Sequence, residues 1–303
     1  MDSSEVSKRI NQLKKDKNAV ILVHNYQRPE IQDIADYLGD SLALSRIASQ
    51  TRASIIVFCG VRFMAETAKI LSPEKLVLLP RSDAGCPMAD MINAEDLIKL
   101  KKIHPDAKVV SYVNTNADVK AESDICCTSA NAVKIVKKIE SDKIIFTPDK
   151  NLAAYCQRFT SKKIIQWNGY CNVHERIKAE EVILIKKRLP DSVLLVHPEC
   201  NPSVIDLADE VLSTGGMVNY VRKSNKKRFL IGTEEGIIYR LQKENPEKEF
   251  YPAGSEKICR NMKLTKLTDV CSALENEQYL IKLSDDIMNR AGKALKAMLA
   301  FSR

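Results

Sequence analysis

Three pairs of polar residues recur along the chain in one register, each at the end of a short apolar run. The steps between them are 88 and 85 residues, and the pairs are His24 with Tyr26, Tyr112 with Asn114, and His197 with Glu199. Imidazole, phenol and carboxylate groups transfer protons when they converge on one substrate. The shared register predicts a single pseudo-symmetric site, whose candidate catalytic residues are Tyr26, Tyr112, Glu199, His24 and His197.

Three hydroxyl residues follow the same two steps and lie where helices are predicted to begin. They are Ser41, Ser129 and Thr214. Hydroxyls beside the free backbone N–H groups of a helix N-terminus bind anions, and three of them suit a substrate with several carboxylates or a phosphate. Any one of them alone is better explained as an ordinary helix N-cap, and either histidine alone as a hydrogen-bonded strand-end residue. The predicted substrate-binding residues are His24, Ser41, Tyr112, Asn114, Ser129, His197, Glu199 and Thr214.

Three of the nine cysteines also occur once per repeat, after the last predicted strand of each. These candidate metal ligands are Cys86, Cys171 and Cys259. One thiolate per repeat leaves an open coordination position, as in a catalytic metal or cluster rather than a closed structural zinc site. We expect a [4Fe–4S] cluster that serves as a Lewis acid. Zinc with a bound water is one alternative, and three buried hydrophobic residues are another.

The remaining cysteines and histidines are interpreted as structural. Small buried side chains are expected for Cys59, Cys126, Cys127, Cys156, Cys200 and Cys271. His104 is expected at a surface helix end, and His174 at the start of the helix after Cys171.

Between these residues, short β-branched runs alternate with stretches of helical period, as in parallel sheets covered by helices. The predicted fold class is α/β, with three homologous αβα sandwich domains in a pseudo-threefold arrangement around a central site. Proline after a helix predicts boundaries near residues 105 and 190. The predicted domains are 1–105, 106–190 and 191–303, the last with a closing amphipathic helix over 284–302.

The predicted strands place the polar pairs at one edge of each sheet. Strands are expected over 19–24, 54–59, 75–79, 108–113, 124–127, 143–147, 163–167, 193–197, 210–213, 228–232 and 248–251. Helices of the first repeat are expected over 30–37, 41–52 and 61–71. Ligands of open α/β sheets bind beyond the carboxyl ends of the strands, which is where all three pairs lie.

Composition favours one compact protein in a reducing compartment. Of the 303 residues, 45% are apolar and 28% charged, and no apolar run or N-terminal segment reads as a membrane span or signal peptide. Nine cysteines argue against a secreted disulfide framework, so we expect a cytoplasmic protein that contacts no membrane. The net charge of +8 lies mostly on helical faces without an aromatic platform, so small anions are expected as partners rather than nucleic acid.

At this point the sequence resembles the quinolinate synthase family, of the A type, over essentially the whole chain. The segments that carry the resemblance, in family order, are HNYQRPEIQDIADYLGDSL, FCGVRFMAE, CPMAD, YVNTNADVKAESDICCTSANA, NGYCNVHE, VHPECNPSV, STGGM, IGTEEG and CRNMK. The resemblance implies three αβα sandwich domains around a pseudo-threefold axis and one [4Fe–4S] cluster per chain, held by one cysteine from each domain. Many members carry the third cysteine in a CxxCxxC run, which the chain lacks at Cys259, so redox control by a disulfide there is not expected.

The resemblance further implies a reaction in de novo NAD biosynthesis. Iminoaspartate would condense with dihydroxyacetone phosphate to give quinolinate, with release of phosphate and water, which makes the protein a transferase. L-aspartate oxidase or dehydrogenase would supply the imine, by transient contact. The three cysteines would hold the cluster, the hydroxyls with Asn114 would hold the carboxylates and the phosphate, and Glu199, the tyrosines and the histidines would transfer protons.

Two other interpretations remain open at the level of sequence. The first is another triplicated enzyme with a three-cysteine cluster, of the diphthamide-forming or hydroxymethylbutenyl diphosphate reductase type, which would not explain the HNYQ and VHPEC segments. The second is a cluster-free module that binds a phosphorylated anion at its helix N-termini without chemistry.

Overall fold

A computed structural model describes residues 2–255 and 257–301 of the chain and contains three parallel sheets of four strands. The strands of the first sheet are β1 Ala19–His24, β2 Tyr37–Gly39, β3 Ile55–Cys59 and β4 Leu76–Leu78. Those of the second are β5 Lys108–Tyr112, β6 Ile125–Cys127, β7 Lys143–Thr147 and β8 Lys163–Gln166. Those of the third are β9 Val193–Val196, β10 Glu210–Val211, β11 Arg228–Gly232 and β12 Glu249–Pro252.

Helices cover the faces of all three sheets. In chain order they are α1 Ser3–Asp16, α2 Pro29–Asp33, α3 Ser41–Gln50, α4 Arg62–Leu71, α5 Ala94–Ile103, α6 Ala117–Ala121, α7 Ala132–Lys138, α8 Lys150–Gln157, α9 Asn172–Glu175, α10 Ala179–Arg188, α11 Pro202–Ile205, α12 Thr214–Lys223, α13 Gly236–Glu244, α14 Leu267–Asn276 and α15 Asp285–Phe301. A short 3₁₀ turn spans Ala89–Met91. The predicted α/β class with three sandwich units is confirmed.

The three sheets share one strand order, β2–β1–β3–β4 in the first and its equivalents β6–β5–β7–β8 and β10–β9–β11–β12 in the others. An aspartate before the edge strand of each sheet accepts a backbone N–H from the adjacent strand at the same 2.8 Å distance. These bonds are Ile21 N–H to Asp36, Val109 N–H to Asp124, and Leu194 N–H to Asp209. The aspartates are separated by the same 88 and 85 residues as the polar pairs, so the triplication extends to individual hydrogen bonds.

Two predicted boundaries differ from the structure for a local reason. The helix predicted over 30–37 ends at Asp33, because Tyr37–Gly39 pairs in parallel with β1 as an edge strand. The strand predicted over 210–213 is only Glu210–Val211, since Ser213 caps the following helix α12. Short edge strands carry little periodicity, so their pairing partner decides their extent.

The core lies on both faces of each sheet, and its largest part joins the first two sheets. The C-terminal helix α15 packs against α4, α6 and β6 and buries Ala291, Ala294, Leu295 and Met298 in this shared core. The helix expected over 284–302 is therefore present over 285–301, and it closes the contact between the first and second sheets. Among the described residues, no helix is both long and apolar enough to cross a membrane.

Candidate active site

One cavity is lined by all twelve residues singled out from the sequence. They are His24, Tyr26, Ser41, Cys86, Tyr112, Asn114, Ser129, Cys171, His197, Glu199, Thr214 and Cys259. His24 and Tyr112 are the last residues of β1 and β5, and His197 directly follows β9. The carboxyl ends of three equivalent strands thus meet around one space, as the register predicted.

His24 and His197 have equivalent hydrogen bonds in the first and third repeats. The Nδ1 atom of His24 accepts the N–H of Tyr26 at 3.2 Å, and Nδ1 of His197 accepts the N–H of Glu199 at 3.4 Å. Because Nδ1 accepts, the ring proton of each neutral imidazole is on Nε2. Burial lowers the pKa of both rings to about 3, helped at His24 by the positive charge of Lys263. Both histidines are therefore neutral N–H donors at neutral pH.

A chain of short hydrogen bonds connects two tyrosines that line the cavity. Glu199 accepts from the Tyr112 hydroxyl at 2.5 Å through Oε1 and contacts Nδ1 of His174 at 2.9 Å through Oε2. The opposite ring nitrogen of His174 lies 2.8 Å from the Thr233 hydroxyl, which lies 2.5 Å from the Tyr26 hydroxyl. We call this chain, Tyr112–Glu199–His174–Thr233–Tyr26, the relay. It combines side chains from all three repeats.

The charge of the relay is concentrated on Glu199. Burial opposes ionisation of this carboxyl, but the neighbouring His174 and His197 rings and the hydrogen bonds from His174 and Tyr112 hold its pKa below the ordinary value. Burial, together with the Glu199 charge, raises the pKa of both tyrosines well above 10. The resting relay therefore has one buried carboxylate and protonated phenols at both ends. Such an arrangement can exchange a proton with a ligand at Tyr26 or Tyr112.

The hydroxyl side of the cavity differs in detail from the prediction. Ser41 and Thr214 are the first residues of α3 and α12, and the N-caps are the preceding Asp40 and Ser213. Ser129 lies three residues before α7. The interpretation of these hydroxyls as ordinary N-caps is therefore wrong, and each one lines the cavity instead.

Asn114 leaves a polar atom for a ligand. Its Oδ1 atom is buried and has no hydrogen-bond partner among the described residues, although the side chain lines the cavity. A buried amide oxygen without a protein partner can accept a hydrogen bond from a group bound in the cavity. No described residue bonds the Nε2–H groups of His24 or His197 either.

The three cysteines lie on loops that are fixed in the same way. In each repeat, a peptide N–H just after the third strand bonds the carbonyl two residues before the cysteine. The bonds are Arg62 N–H to Ala84 at 2.8 Å, Lys150 N–H to Gly169 at 2.8 Å, and Glu235 N–H to Lys257 at 3.1 Å. This shared attachment brings one half-buried thiol from each repeat to the cavity.

Nearby backbone N–H groups favour the thiolate form of each of these cysteines. They come from Met88 and Ala89 for Cys86, from His174 for Cys171, and from Asn261 and Met262 for Cys259. Burial raises the pKa of all three thiols, to about 12 at Cys86, so the thiolate forms need a cationic partner in the cavity. Cysteine thiolates are the donor set of iron–sulfur clusters, and the three residues fit such a group.

The spacing of the sulfurs also bears on which group they fit. Within residues 2–255 and 257–301, only Cys171, His174 and Glu199 bring three ligand atoms within 4.8 Å of one another. His174 and Glu199 already contact each other, and the three cysteine sulfurs form no such compact set. A group larger than a single ion therefore suits the cysteines better than zinc does.

His174 and Thr233 are the site residues that sequence reasoning missed. His174 does lie in the helix after Cys171, as predicted, but its fully buried ring is in the relay. Thr233 aligns in the repeat register with Gly60 and Pro148, so an argument from equivalent positions cannot find it. The sequence did contain one indication of His174, because this residue lies about one helical turn after the predicted ligand Cys171. The other six cysteines are buried, as expected.

A triplicated α/β fold in which three cysteines and a chain of buried hydrogen bonds converge on one cavity is typical of an enzyme active site. A family model described as quinolinate synthetase A protein matches residues 8–300. The chain belongs to this family.

Relatives of similar length carry one name. Quinolinate synthase of Geobacter sp. (strain M21) is 54% identical over 303 residues, which is 100% of both chains. Quinolinate synthase of Thermodesulfovibrio yellowstonii is 55% identical over 288 residues, 95% of each chain, and that of Dehalococcoides mccartyi (strain CBDB1) is 53% identical over 294 residues, 97% of each. The family resemblance inferred from the motifs is confirmed.

Proposed function

We propose that this protein is a quinolinate synthase, a transferase that condenses iminoaspartate with dihydroxyacetone phosphate in de novo NAD biosynthesis. The observation that carries the proposal is the single cavity where three cysteine loops, the relay and three hydroxyls converge. The names of the relatives support quinolinate as the product. The substrates are those that the family resemblance implies, and the cavity contains groups suited to each part of that reaction.

The reaction is redox-neutral. One C–C bond and one C–N bond form between the two substrates, and the ring closes with loss of one phosphate and two waters, which balances every atom of quinolinate. No external oxidant or reductant is required. The site must instead hold two anionic substrates, move protons between carbon, nitrogen and oxygen, and assist the departure of hydroxyl groups.

We propose that the hydrogen-bond donors and the acceptor of the cavity bind different parts of the substrates. The hydroxyls of Ser41, Ser129 and Thr214 and the Nε2–H groups of His24 and His197 are donors for carboxylate and phosphate oxygens. Because both histidines are neutral, they donate hydrogen bonds to the substrates without bringing a positive charge to the site. The unpaired Asn114 amide oxygen is an acceptor for the imine N–H or a substrate hydroxyl.

Proton transfer is assigned to the relay. Tyr26 and Tyr112 line the cavity from opposite ends of the chain of hydrogen bonds, so one can donate a proton to a leaving oxygen while the other returns it through Glu199. Glu199 is charged in the resting relay and carries the proton only during transfer. Its charge stabilises a positive charge that develops on His174 before the proton reaches the carboxylate. Enolisation, phosphate loss and dehydration each need such a transfer.

Cys86, Cys171 and Cys259 are proposed to hold one [4Fe–4S] cluster per chain. When bound, such a cluster supplies a Lewis-acidic iron without a protein ligand, which polarises substrate oxygen or nitrogen. The N–H donors around each sulfur stabilise the thiolate charge that this role requires.

We place the protein in the cytoplasm, where a reducing environment keeps its nine free cysteines as thiols. Its partners are the two small anionic substrates. Because the imine is hydrolytically unstable, a transient contact with L-aspartate oxidase or dehydrogenase is proposed as its source.

The test is quinolinate formation by the protein purified without oxygen and supplied with iminoaspartate and dihydroxyacetone phosphate. Quinolinate and phosphate should appear in equal amounts, with no added reductant or S-adenosylmethionine. A protein that reacts only with S-adenosylmethionine or a reductant would instead be a different three-cysteine cluster enzyme. Tight binding of both anions without turnover would indicate a binding module.

A further inference from the structure

Glu234 is a fully buried carboxylate beside the third cysteine loop, outside the relay. Its Oε1 atom accepts the peptide N–H of Cys259 at 3.0 Å, and its Oε2 atom accepts the N–H of Gly236 at 2.8 Å. The ammonium group of Lys263 lies 3.0 Å from Oε1 and neutralises the charge. Both carboxylate oxygens of Glu234 therefore face N–H or ammonium donors.

The same lysine extends the contact to another repeat. Lys263 also donates to the carbonyl of Tyr26, and its own carbonyl accepts from Nε of Arg28 at 2.7 Å. The loop that carries Cys259 is thus fixed to the segment after β1, which carries one end of the relay. Glu234 lies at the centre of this connection.

The second repeat has a carboxyl group at the equivalent position, but it does not make the equivalent bond. Asp149 lies 85 residues before Glu234 and is also fully buried. Its Oδ1 accepts the N–H of Leu152 at 2.7 Å, while Oδ2 has no hydrogen-bond partner among the described residues. Burial and the Glu199 charge raise the pKa of Asp149 well above its ordinary value. The first repeat has Val61 at this position, so the bond to the cysteine peptide is specific to the third repeat among the described residues.

We propose that Glu234 is a positioning residue that holds the Cys259 peptide so that its sulfur faces the cavity. The inference rests on the proposed function, because it takes Cys259 as a cluster ligand. Among the described residues, no buried carboxylate accepts the peptide N–H of Cys86 or Cys171. Loss of Glu234 therefore releases one ligand loop while the other two stay in place.

Substitution by glutamine isolates this role at Glu234. Both carboxylate oxygens face N–H or ammonium donors, so either orientation of a glutamine places its NH₂ group against Cys259, Gly236 or Lys263. The side-chain volume is unchanged, and the contact with the loop becomes repulsive. Removal of such an outer partner typically weakens metal binding about 10- to 100-fold.

The experiment compares Glu234→Gln with the wild-type protein in two forms. In the anaerobic, cluster-loaded form, the visible absorbance should be lost to EDTA about 10- to 100-fold faster in the variant. In the iron-free form, the amides of residues 258–263 should exchange hydrogen faster, with an unchanged circular-dichroism spectrum. Asp149→Asn, which changes the equivalent position of the second repeat, should leave exchange over 258–263 as in the wild type.

Glu235→Gln is the matched control, because its side chain has no hydrogen bond or ion pair with the described residues, and it should behave as the wild type in both forms. Equal chelation and exchange rates in Glu234→Gln and wild type would overturn the proposal. If Glu234→Gln does not fold, Glu234→Asp keeps the charge beside Lys263 but draws it away from Cys259, and it should show the same two changes. A wild-type protein that takes up no iron would contradict the proposed function, whereas amide exchange in the iron-free form would still decide the role of Glu234.

Discussion

At the scale of single residues, the two oxygens of Glu199 face three groups of different character. A phenol, one imidazole at 2.9 Å and a second imidazole at 3.7 Å surround a carboxylate that is almost completely buried. Such a charge is costly unless each contact is retained, so the site depends on this residue more than on any single binding hydroxyl.

Glu199→Gln should lower turnover by about 10²–10⁴-fold, since the amide cannot return a proton to Tyr112. Iron content should stay at the wild-type level, because Glu199 is not one of the proposed ligands. Steady-state kinetics and iron analysis on the same sample check both statements, with the exposed Glu180→Gln as control. Wild-type turnover in Glu199→Gln would remove this residue from the mechanism.

Thr233→Val tests the continuity of the relay, because it removes one hydroxyl that lies between His174 and Tyr26. We expect kcat to fall on the order of 10²-fold with little change in KM, and stability to fall by about 1–3 kcal/mol. Thr265→Val is a close control, since that buried hydroxyl has no hydrogen-bond partner among the described residues. Equal kinetics in the two variants would show that Tyr26 works without the relay.

The buried histidines predict how stability depends on pH. Their pKa values are about 3 in the folded protein, against an ordinary value of 6.5, so unfolding takes up protons as the pH falls below 6.5. The stability that the two neutral histidines contribute is complete above pH 6.5. It is lost on acidification, at up to about 1.4 kcal/mol per pH unit for each histidine. Urea denaturation of the iron-free protein at pH 7 and pH 5 measures this slope. His24→Asn should reduce it, and a slope unchanged by His24→Asn and His197→Asn would contradict buried neutral rings.

Sequence reasoning found the symmetric part of this site and missed the part that breaks the symmetry. His24 and His197 were visible because the same residue type follows two equivalent strands. Thr233 aligns with glycine and proline, and the ring of His174 reaches Glu199 only through a contact between the second and third repeats. Side-chain contacts between repeats depend on tertiary structure and leave no periodic trace in one sequence.

At the scale of elements, the repeated unit is a strand with a specific hydrogen bond to the loop before its edge neighbour. Asp36, Asp124 and Asp209 each make that bond at 2.8 Å, and each also has a lysine partner. The strands could be predicted from their β-branched runs, but β2 could not, since its three residues form a strand only by pairing with β1.

Replacing each of these aspartates by asparagine should therefore have a similar effect. We expect Asp36→Asn, Asp124→Asn and Asp209→Asn to cost about 1 kcal/mol each in the free energy of unfolding, because the uncharged amide oxygen is a weaker acceptor than the carboxylate. Urea titration of the three variants gives the values, and the exposed Asp191→Asn is the control. Costs that differ by more than about 2 kcal/mol would show that the three bonds are not equivalent.

At the scale of the whole molecule, the function depends on convergence of the three repeats, which no single repeat provides. Each repeat contributes one cysteine loop, one polar pair and one hydroxyl to the cavity. The steps of 88 and 85 residues made that convergence predictable. The position of α15 between the first two sheets could not be predicted. An amphipathic pattern shows which face of a helix is buried but not what covers that face.

The most direct measurement of the central claim is the iron and acid-labile sulfide content of the protein purified without oxygen, for the wild type and for Cys86→Ser, Cys171→Ser and Cys259→Ser. The account predicts about four irons and four sulfides per wild-type chain, and a loss of the cluster in every one of the three variants. Zinc in place of iron, or a cluster retained in all three variants, would contradict it.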